Sequence, residues 1–490
     1  MKLKFLLIII LTAAFSAFSQ NGIETLKAKG DAVVSPDGDI AIRRSDRLHG
    51  YGSNRDEDIN SPKSATFSKD GKKIYVNSLE GMKTVVYDAA THKKLKVINH
   101  QFESGTGPQW LKPSGYYEFT HYPDGMNRAF GGKPVEAALS KDGRYLFVPY
   151  YRRNFDLNAQ DPSALAVIDT QKDEIVLMTE TGPLPKMVKV SNDGKLLAIT
   201  HWGNNTVGFM DISDKNPKNW KHLPPVTIGK KLDLHYSLTS HVNRDSGSGY
   251  LLRGTVFLPG DSLLLVSGMA GPLAVIDTRK MEWIGMVPSL SQVRHITMKG
   301  DLLYMSRNSA GEVLTVPIAN IVKAVAEQRG HSREFKIDGI RRAKVAGGAR
   351  TLKVSPEGKY IFVACNSGTE LAIVRTEDMK MIGEIKADPF PVGLDISPDG
   401  RQIVTTSQGR KGQGGGNAVN FFEVEYAVPE KYVIESVGAA DDSVAADTLS
   451  AAQMLEQERK SASKWWAIGL AIGIAVLIAF AIIARRKSRK

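Results

Sequence analysis

The 490-residue chain contains a single cysteine, Cys365. No intrachain disulfide is possible, so the fold must rest on its core and its strand pairing. No cysteine follows the N-terminal apolar run, which argues against a lipid-modified leader. There is no Gly-x-Ser-x-Gly nucleophile elbow, no phosphate-binding loop and no Cys-x-x-Cys-His haem attachment. Long apolar runs are confined to the two ends. The hydrophobic share, 42%, is still enough to build a large core between them.

The first end reads "MKLKFLLIIILTAAFSAFS". Lys2 and Lys4, an apolar stretch, and small residues at Ala17 and Ser19 make residues 1–19 a secretory signal, cut before Gln20. An uncleaved anchor is the alternative. The other end runs from Trp465 to Ala484, 20 residues without a charge. A helix of that length crosses a hydrocarbon core of about 30 Å. Residues 464–484 are therefore expected to be a transmembrane helix. Arg485, Arg486, Lys487, Arg489 and Lys490 form a basic tail, 485–490, on the cytoplasmic side. Residues 437–463 are rich in Ala, Ser and Asp and read as a flexible linker. The bulk of the chain, 20–436, is then outside the cytoplasm.

The net charge is +12, and leader, linker, Lys464 and tail together account for five of those charges. The remaining +7 is spread over the central region, too diffuse to imply nucleic acid.

One phrase recurs through that region. It is "VVSPDGDIAI" at Ser35, "ATFSKDGKKIYV" at Ser68, "AALSKDGRYLFV" at Ser140, "VKVSNDGKLLAI" at Ser191, "LKVSPEGKYIFV" at Ser355 and "LDISPDGRQIVT" at Ser397. Degenerate copies fall at Leu258 and Met298. Alternating apolar runs around Asp-Gly or Glu-Gly predict a hairpin with a two-residue turn, because Gly accepts positive φ. A second phrase follows each copy but the first, as in "LAVIDTQKDEIVLM" from Leu165 and "LAVIDTRKMEWIGMV" from Leu273. Two hairpins make a four-stranded sheet with two apolar faces. Radial stacking of such sheets buries both faces and closes a ring.

"SKDGRYLFV…LAVIDTQ" from Ser140 and "FVACNSGTELAIVRTED" from Phe362 resemble the YVTN-type β-propeller repeat family. The resemblance covers about Ala32 to Val437 and implies an all-β, seven-bladed propeller of four-stranded blades. The copy at Ser35 lacks a second phrase. It is expected to lend a strand to the last blade; eight blades is the alternative.

In such a propeller each innermost strand runs downward from the top face, and the Ser-Pro-Asp-Gly turns lie at the bottom. Five residues before each repeat Ser stand Lys63, Val135, Lys186, Arg253, Val293, Arg350 and Val392, with Arg294 beside Val293. A lone surface Lys or Arg is ordinarily just solvated; recurrence at one repeat position points to a basic funnel for an anionic ligand. The candidate ligand-binding residues are Lys63, Lys133, Lys186, His201, Trp202, Arg253, Arg294, His295, Arg307 and Arg350. Further loop residues on that face are Arg152, Arg153, Arg244, Arg341, Arg342, Arg410 and Lys411. No cofactor, metal site or catalytic group is assigned. Ile318–Arg329 reads as a helix on the bottom face, with Ile318, Ile321, Val322 and Val325 packed on a blade. Cys365 is expected to be a buried apolar residue of a strand.

These readings describe a membrane-anchored extracytoplasmic binding or scaffold module. Its partner is an anionic small molecule, a glycan or an envelope protein. A lactonase-like or cofactor-dependent propeller enzyme with its site in the funnel is the alternative.

Overall fold

The computed structural model describes residues 32–49, 55–125, 128–409 and 416–426. The expected leader, linker, membrane span and tail, and also Arg410 and Lys411, lie outside the described residues. Among the described residues no helix is long and apolar enough to cross a membrane.

Seven antiparallel sheets are arranged as the blades of a closed ring. Blade 1 shows the pattern, with strands Pro62–Phe67, Lys73–Ser78, Lys83–Asp88 and Lys94–Asn99 in spatial order. The innermost strands of blades 3 to 7 are Pro185–Val190, Leu252–Phe257, Val293–Lys299, Ala349–Val354 and Pro391–Ile396. Each contacts its neighbours around the axis, and the last contacts the first. Apolar side chains from facing blades share cores. Ile74, Val76, Val85 and Tyr87 of blade 1, for example, pack with Val404, Val419 and Phe421 of blade 7. Fully burying one such side chain contributes roughly 1.5–3 kcal/mol.

Among the described residues there is no eighth blade. The copy at Ser35 is itself a hairpin, Ala32–Val34 with Ile40–His49, and it lies on the outer edge of blade 7. Ile40–His49 pairs along its length with Ala418–Tyr426. The first and the last of the described strands are thereby joined in one sheet. Arg47 donates to Asp388 through Nε at 2.8 Å, and His92 of blade 1 stacks on Phe421 at 4.0 Å.

The repeated turn is not the two-residue turn expected. Ser68 N–H donates to the carbonyl of Lys73, five residues on, at 2.8 Å. Its own carbonyl is taken by Gly71 N–H at 2.9 Å. The returning N–H of Lys73 is therefore accepted by the Ser68 hydroxyl oxygen, at 2.9 Å. That hydroxyl donates to Asp70 at 2.6 Å and holds its carboxyl below the usual range. Serine recurs because its side chain replaces a backbone acceptor. Gly71 has φ +73°, the left-handed region.

Blade 5 departs from this turn, and the departure corrects its register. Lys299 pairs directly with Leu302 around Gly300–Asp301. Lys299, not Met298, occupies the Ser position, and Arg294 stands five residues before it. The helix Ile318–Gln328 lies between the third and fourth strands of blade 5, as expected, and buries Ile318, Ile321, Ala324 and Val325. Val322, expected on that face, is exposed. The helix pushes the fourth strand along the sequence, so Arg341 and Arg342 lie in that outer strand rather than in a top loop. Cys365 is fully buried in a strand, and burial raises its thiol pKa.

Candidate functional site

In six of the seven blades two local features aim one residue at the axis. The first is a left-handed residue at the entry to the inner strand. Ser61, Leu184, Leu251, Gln292, Gly348 and Phe390 all have φ between 50° and 83°. The second is a register irregularity just after it, between Pro62 and Ser64, Pro185 and Met187, Leu252 and Thr255, Val293 and His295, Ala349 and Leu352, and Pro391 and Gly393. A bulge inserts an unpaired residue and re-aims side chains. Lys63, Lys186, Arg253, Arg294 and Arg350 occupy those irregularities. Neighbouring blades then fix their backbone. Thr200 of blade 3 donates to the Arg253 carbonyl at 2.8 Å, Ser306 of blade 5 donates to the Arg350 carbonyl, and Thr351 donates to the Val392 carbonyl at 2.7 Å.

The five cations converge. Lys63, Lys186, Arg253 and Arg350 are each less than a tenth exposed. Burial pushes Lys63 well below the ordinary lysine range, and Arg350, Arg253 and Lys186 push it further. Lys186 is lowered by burial and then by Arg253. Arg350 falls to about 9, again by burial and then by Arg253. Arg294 is lowered by burial, Arg350 and Arg253. Against these five stands Glu136, whose Oε1 accepts from Arg253 Nη2 at 3.1 Å. Among the described residues neither Lys63 nor Arg350 has a carboxylate partner, and Nε of both Arg294 and Arg350 is buried without an acceptor.

Glu136 comes from a variant of the same design. The inner strand of blade 2 is broken into Phe130–Pro134 and Ala138–Leu139, both paired with the long strand Tyr145–Arg153. Glu136 lies in the break. At the mouth, Lys186 Nζ is 3.5 Å from the Tyr151 ring centroid, 4.6 Å from that of Trp202 and 4.0 Å from Asp245. The Arg350 guanidinium lies over Phe390 at 5.8 Å. An aromatic face thus lies against Arg350, which has no carboxylate partner among the described residues, and two more supplement the distant Asp245 at Lys186.

Below the ring the channel opens into a cavity of about 290 Å³, lined by Glu136, Lys189, His295, Thr297, Lys353 and Asp395 among others. Lys353 pairs with Asp395 at 2.8 Å. His295 is held neutral by burial, then by Lys353, Arg253 and Lys189, and its Nδ1 has no hydrogen-bond partner.

Three candidate residues are elsewhere. Lys133 pairs with Glu80 at 2.6 Å. Arg307 pairs with Glu312 at 3.3 Å within blade 5. His201 is enclosed in blade 3, where Nδ1 meets Thr206 Oγ1 at 2.8 Å and Nε2 accepts from Gly182 N–H at 3.1 Å. Arg153 is not a rim residue either. It is buried, donates to the carbonyls of Gly125 and Pro162, and stacks against Phe119, Phe130 and Phe155. Glu136, Tyr151, Phe390, Lys189, Lys353 and Asp395 belong to the channel or its mouth and were not picked out from the sequence. Glu136 stands four residues before Ser140, one step past the repeat position held by Val135, so one further step along the repeat would have found it.

A larger hollow of about 860 Å³ lies at the rim between blades 2 and 3, lined by Trp110, Lys112, Tyr116, Lys218 and Lys221 among others. Its lysines are exposed to solvent and screened, unlike those on the axis. Among the described residues no three His, Cys, Asp or Glu side chains converge to hold a metal ion.

No protein-family model matches the chain, and no curated protein matches it. Among solved structures it is similar to hydrazine synthase of Kuenenia stuttgartiensis, at 14% identity and TM-score 0.51, over 76% of this chain and 98% of that one. The β-propeller domain of Cps50 (Swd1) of Myceliophteria thermophila is 11% identical over 74% of this chain and 96% of that one, with a TM-score of 0.49. The likeness to the first is one of fold alone. The chain is a seven-bladed β-propeller.

Proposed function

We propose that this propeller is an exported, membrane-anchored member of the YVTN-type repeat family that binds an anionic ligand in its axial channel. The carrying observation is the ring Lys63, Lys186, Arg253, Arg294 and Arg350 around one carboxylate, Glu136. Buried cations that repel one another are costly without a counter-charge, and an anion on the axis offsets that cost for all five. Their place inside a channel favours a small anion, or the end of an acidic glycan or protein segment, over a broad partner face. The signal-like leader and the apolar span before a basic tail support export and anchoring, with the propeller outside the cytoplasm.

Binding is tested by screening acidic glycans, nucleotides, acidic peptides and inorganic oxyanions against the wild type and a variant with Lys186, Arg253, Arg294 and Arg350 all changed to Ala. Each lost charge-assisted bond is expected to cost about 1.5–3 kcal/mol, or one to two decades in affinity. A folded variant that binds the wild-type ligand equally well at low salt refutes the channel as the site. Conversion of a bound compound to product in the same screen would replace the binding reading with an enzymatic one. Glu136, paired with Arg253, and Asp395, paired with Lys353, are the channel carboxylates such chemistry would draw on. Topology is tested by adding protease to spheroplasts, where the propeller is expected to be digested; full protection refutes the external placement.

A further inference from the structure

The channel carries a second tier of charge that the ring alone does not explain. Three residues along from Lys186, Arg350 and Val392 stand Lys189, Lys353 and Asp395. All three line the cavity below the ring. At a rise of about 3.3 Å per residue, with one residue taken up by the bulge, the tiers lie roughly 7–10 Å apart along the axis. Between them sits His295, whose neutral ring feels both Arg253 of the upper tier and Lys189 and Lys353 of the lower. Its buried Nδ1 is unpartnered, so it can serve a ligand passing between the tiers.

The charge count is lopsided along the whole channel. Seven cations, Lys63, Lys186, Lys189, Arg253, Arg294, Arg350 and Lys353, face three carboxylates: Glu136 and Asp395 inside, and the exposed Asp245 at the mouth. Among the described residues the Lys189 ammonium has no hydrogen bond or ion pair. At the level of the lower tier the wall also offers the hydroxyls of Thr66 and Thr297, whereas those of Thr255 and Thr351 already donate to the carbonyls of Leu265 and Val392. Among the described residues the cavity lining has no tryptophan or tyrosine, and Phe67, which does line it, is packed into the core shared by blades 1 and 7. One compact oxyanion reaches one tier. A linear chain of linked phosphates reaches both, carries charge along its length and needs only cations and hydroxyls from the wall.

We infer that the channel is a two-tier site for a linear phosphate chain, one end held by the ring and the other by Lys189 and Lys353. This rests on the anion-binding reading above. Calorimetry at fixed ionic strength should compare orthophosphate, linear tripolyphosphate and cyclic trimetaphosphate, which has three phosphates but no length. The wild type is expected to bind the linear chain at least tenfold tighter than either compact anion. In the Lys189→Met/Lys353→Met variant that advantage should vanish while orthophosphate affinity stays within twofold. Lys353→Met alone, at a partly exposed side chain, should show part of the loss if the double variant folds poorly. ATP run in parallel separates a chain carried by a nucleoside, expected within threefold of tripolyphosphate, from a free one, expected to be bound much more tightly than ATP. Trimetaphosphate binding as tightly as the linear chain overturns the two-tier inference and leaves the ring standing, as does a double variant that weakens every anion equally. A wild type that binds none of the anions overturns the anion reading itself.

Discussion

Arg253 of blade 4 and Glu136 of blade 2 meet inside the channel, Nη2 to Oε1 at 3.1 Å, from 117 residues apart in the chain. The pair is enclosed, so it is screened little. Breaking a buried pair by removing one partner typically costs about 3–5 kcal/mol, because the other charge is left uncompensated. Glu136→Gln is therefore expected to lower the melting temperature in the absence of anions. It also removes the carboxylate that competes with a ligand for Arg253. Anion affinity should rise by about tenfold, and saturating anion should restore much of the lost stability. Weaker anion binding by the variant would show that Glu136 itself contacts the ligand.

The ring was legible in the sequence because a repeat fold converts a repeat position into a place. Lys63, Lys186, Arg253 and Arg350 share one offset from the repeat Ser, and closure of the ring brings them together. Arg294 seemed one step out of register only because blade 5 shortens its turn at Gly300, which places Lys299 in the Ser position. The lower tier was equally present, at the offset two before the Ser: Lys189, Lys353 and Asp395 interrupt runs that otherwise read as ordinary strand. The misassigned residues share another cause. His201, Arg307 and Lys133 sit at or near strand ends, and partners on adjoining segments take them up: Gly182, Glu312 on the next strand, and Glu80 of the neighbouring blade. Repeat spacing locates a residue along its blade but not the neighbour that neutralises it. The role of the Ser hydroxyl as a backbone acceptor was also hidden, because an Asp-Gly pair alone suggests a shorter turn.

Gly400 and Gly260 separate two costs of replacing a turn glycine. Both have positive φ, 77° and 79°. A Cβ at Gly400 would lie 2.8 Å from Pro356 Cδ and 3.0 Å from the Tyr426 hydroxyl, whereas one at Gly260 meets nothing within 4 Å. Gly260→Ala should cost only the backbone strain, about 1 kcal/mol. Gly400→Val adds a β-branched side chain and a clash between blades 6 and 7, and should cost at least 2 kcal/mol more. Chemical denaturation of both variants measures the difference. Equal losses would mean that the space around Gly400 relaxes freely.

The N-terminal hairpin is expected to be the latch of the ring. Ile42 is fully buried in the joint sheet of blade 7, with Val33, Phe422 and Val424 in the same core. Ile42→Asp places an unpaired charge there and should destabilise by more than 4 kcal/mol. Deleting residues 32–49 leaves the strand Ala418–Tyr426 as a bare edge, which invites association between chains. Light scattering of the deletion variant should show oligomers. A monomer with wild-type stability would mean that blade 7 closes the ring with three strands.

The buried lysines make a prediction about pH. Burial, with repulsion from Lys353, lowers Lys189 to about 8. In the unfolded chain the group titrates near 10.4, about the usual lysine value. Between those two pH values the unfolded state holds more protons, so stability rises with pH across that interval and is independent of this group below about 8. Lys63 and Lys186 are shifted in the same direction and add to the slope. The window closes near pH 10. Buried tyrosines such as Tyr117, raised by desolvation, stay protonated in the fold and lose their advantage once the unfolded chain ionises. Lys189→Met should stabilise the anion-free protein by about 1–2 kcal/mol at pH 7, a figure discounted for water in the channel. The gain should shrink steadily between pH 8 and 9.5, because the wild type is by then losing the same charge. Anion binding has the opposite dependence: an anion favours the ammonium form, so affinity should rise as pH falls from 9.5 to 7, with proton uptake visible as a buffer-dependent enthalpy. Urea melts of the two proteins at five pH values, with and without tripolyphosphate, measure both trends. A stability difference that does not change with pH would mean that Lys189 stays charged in the fold.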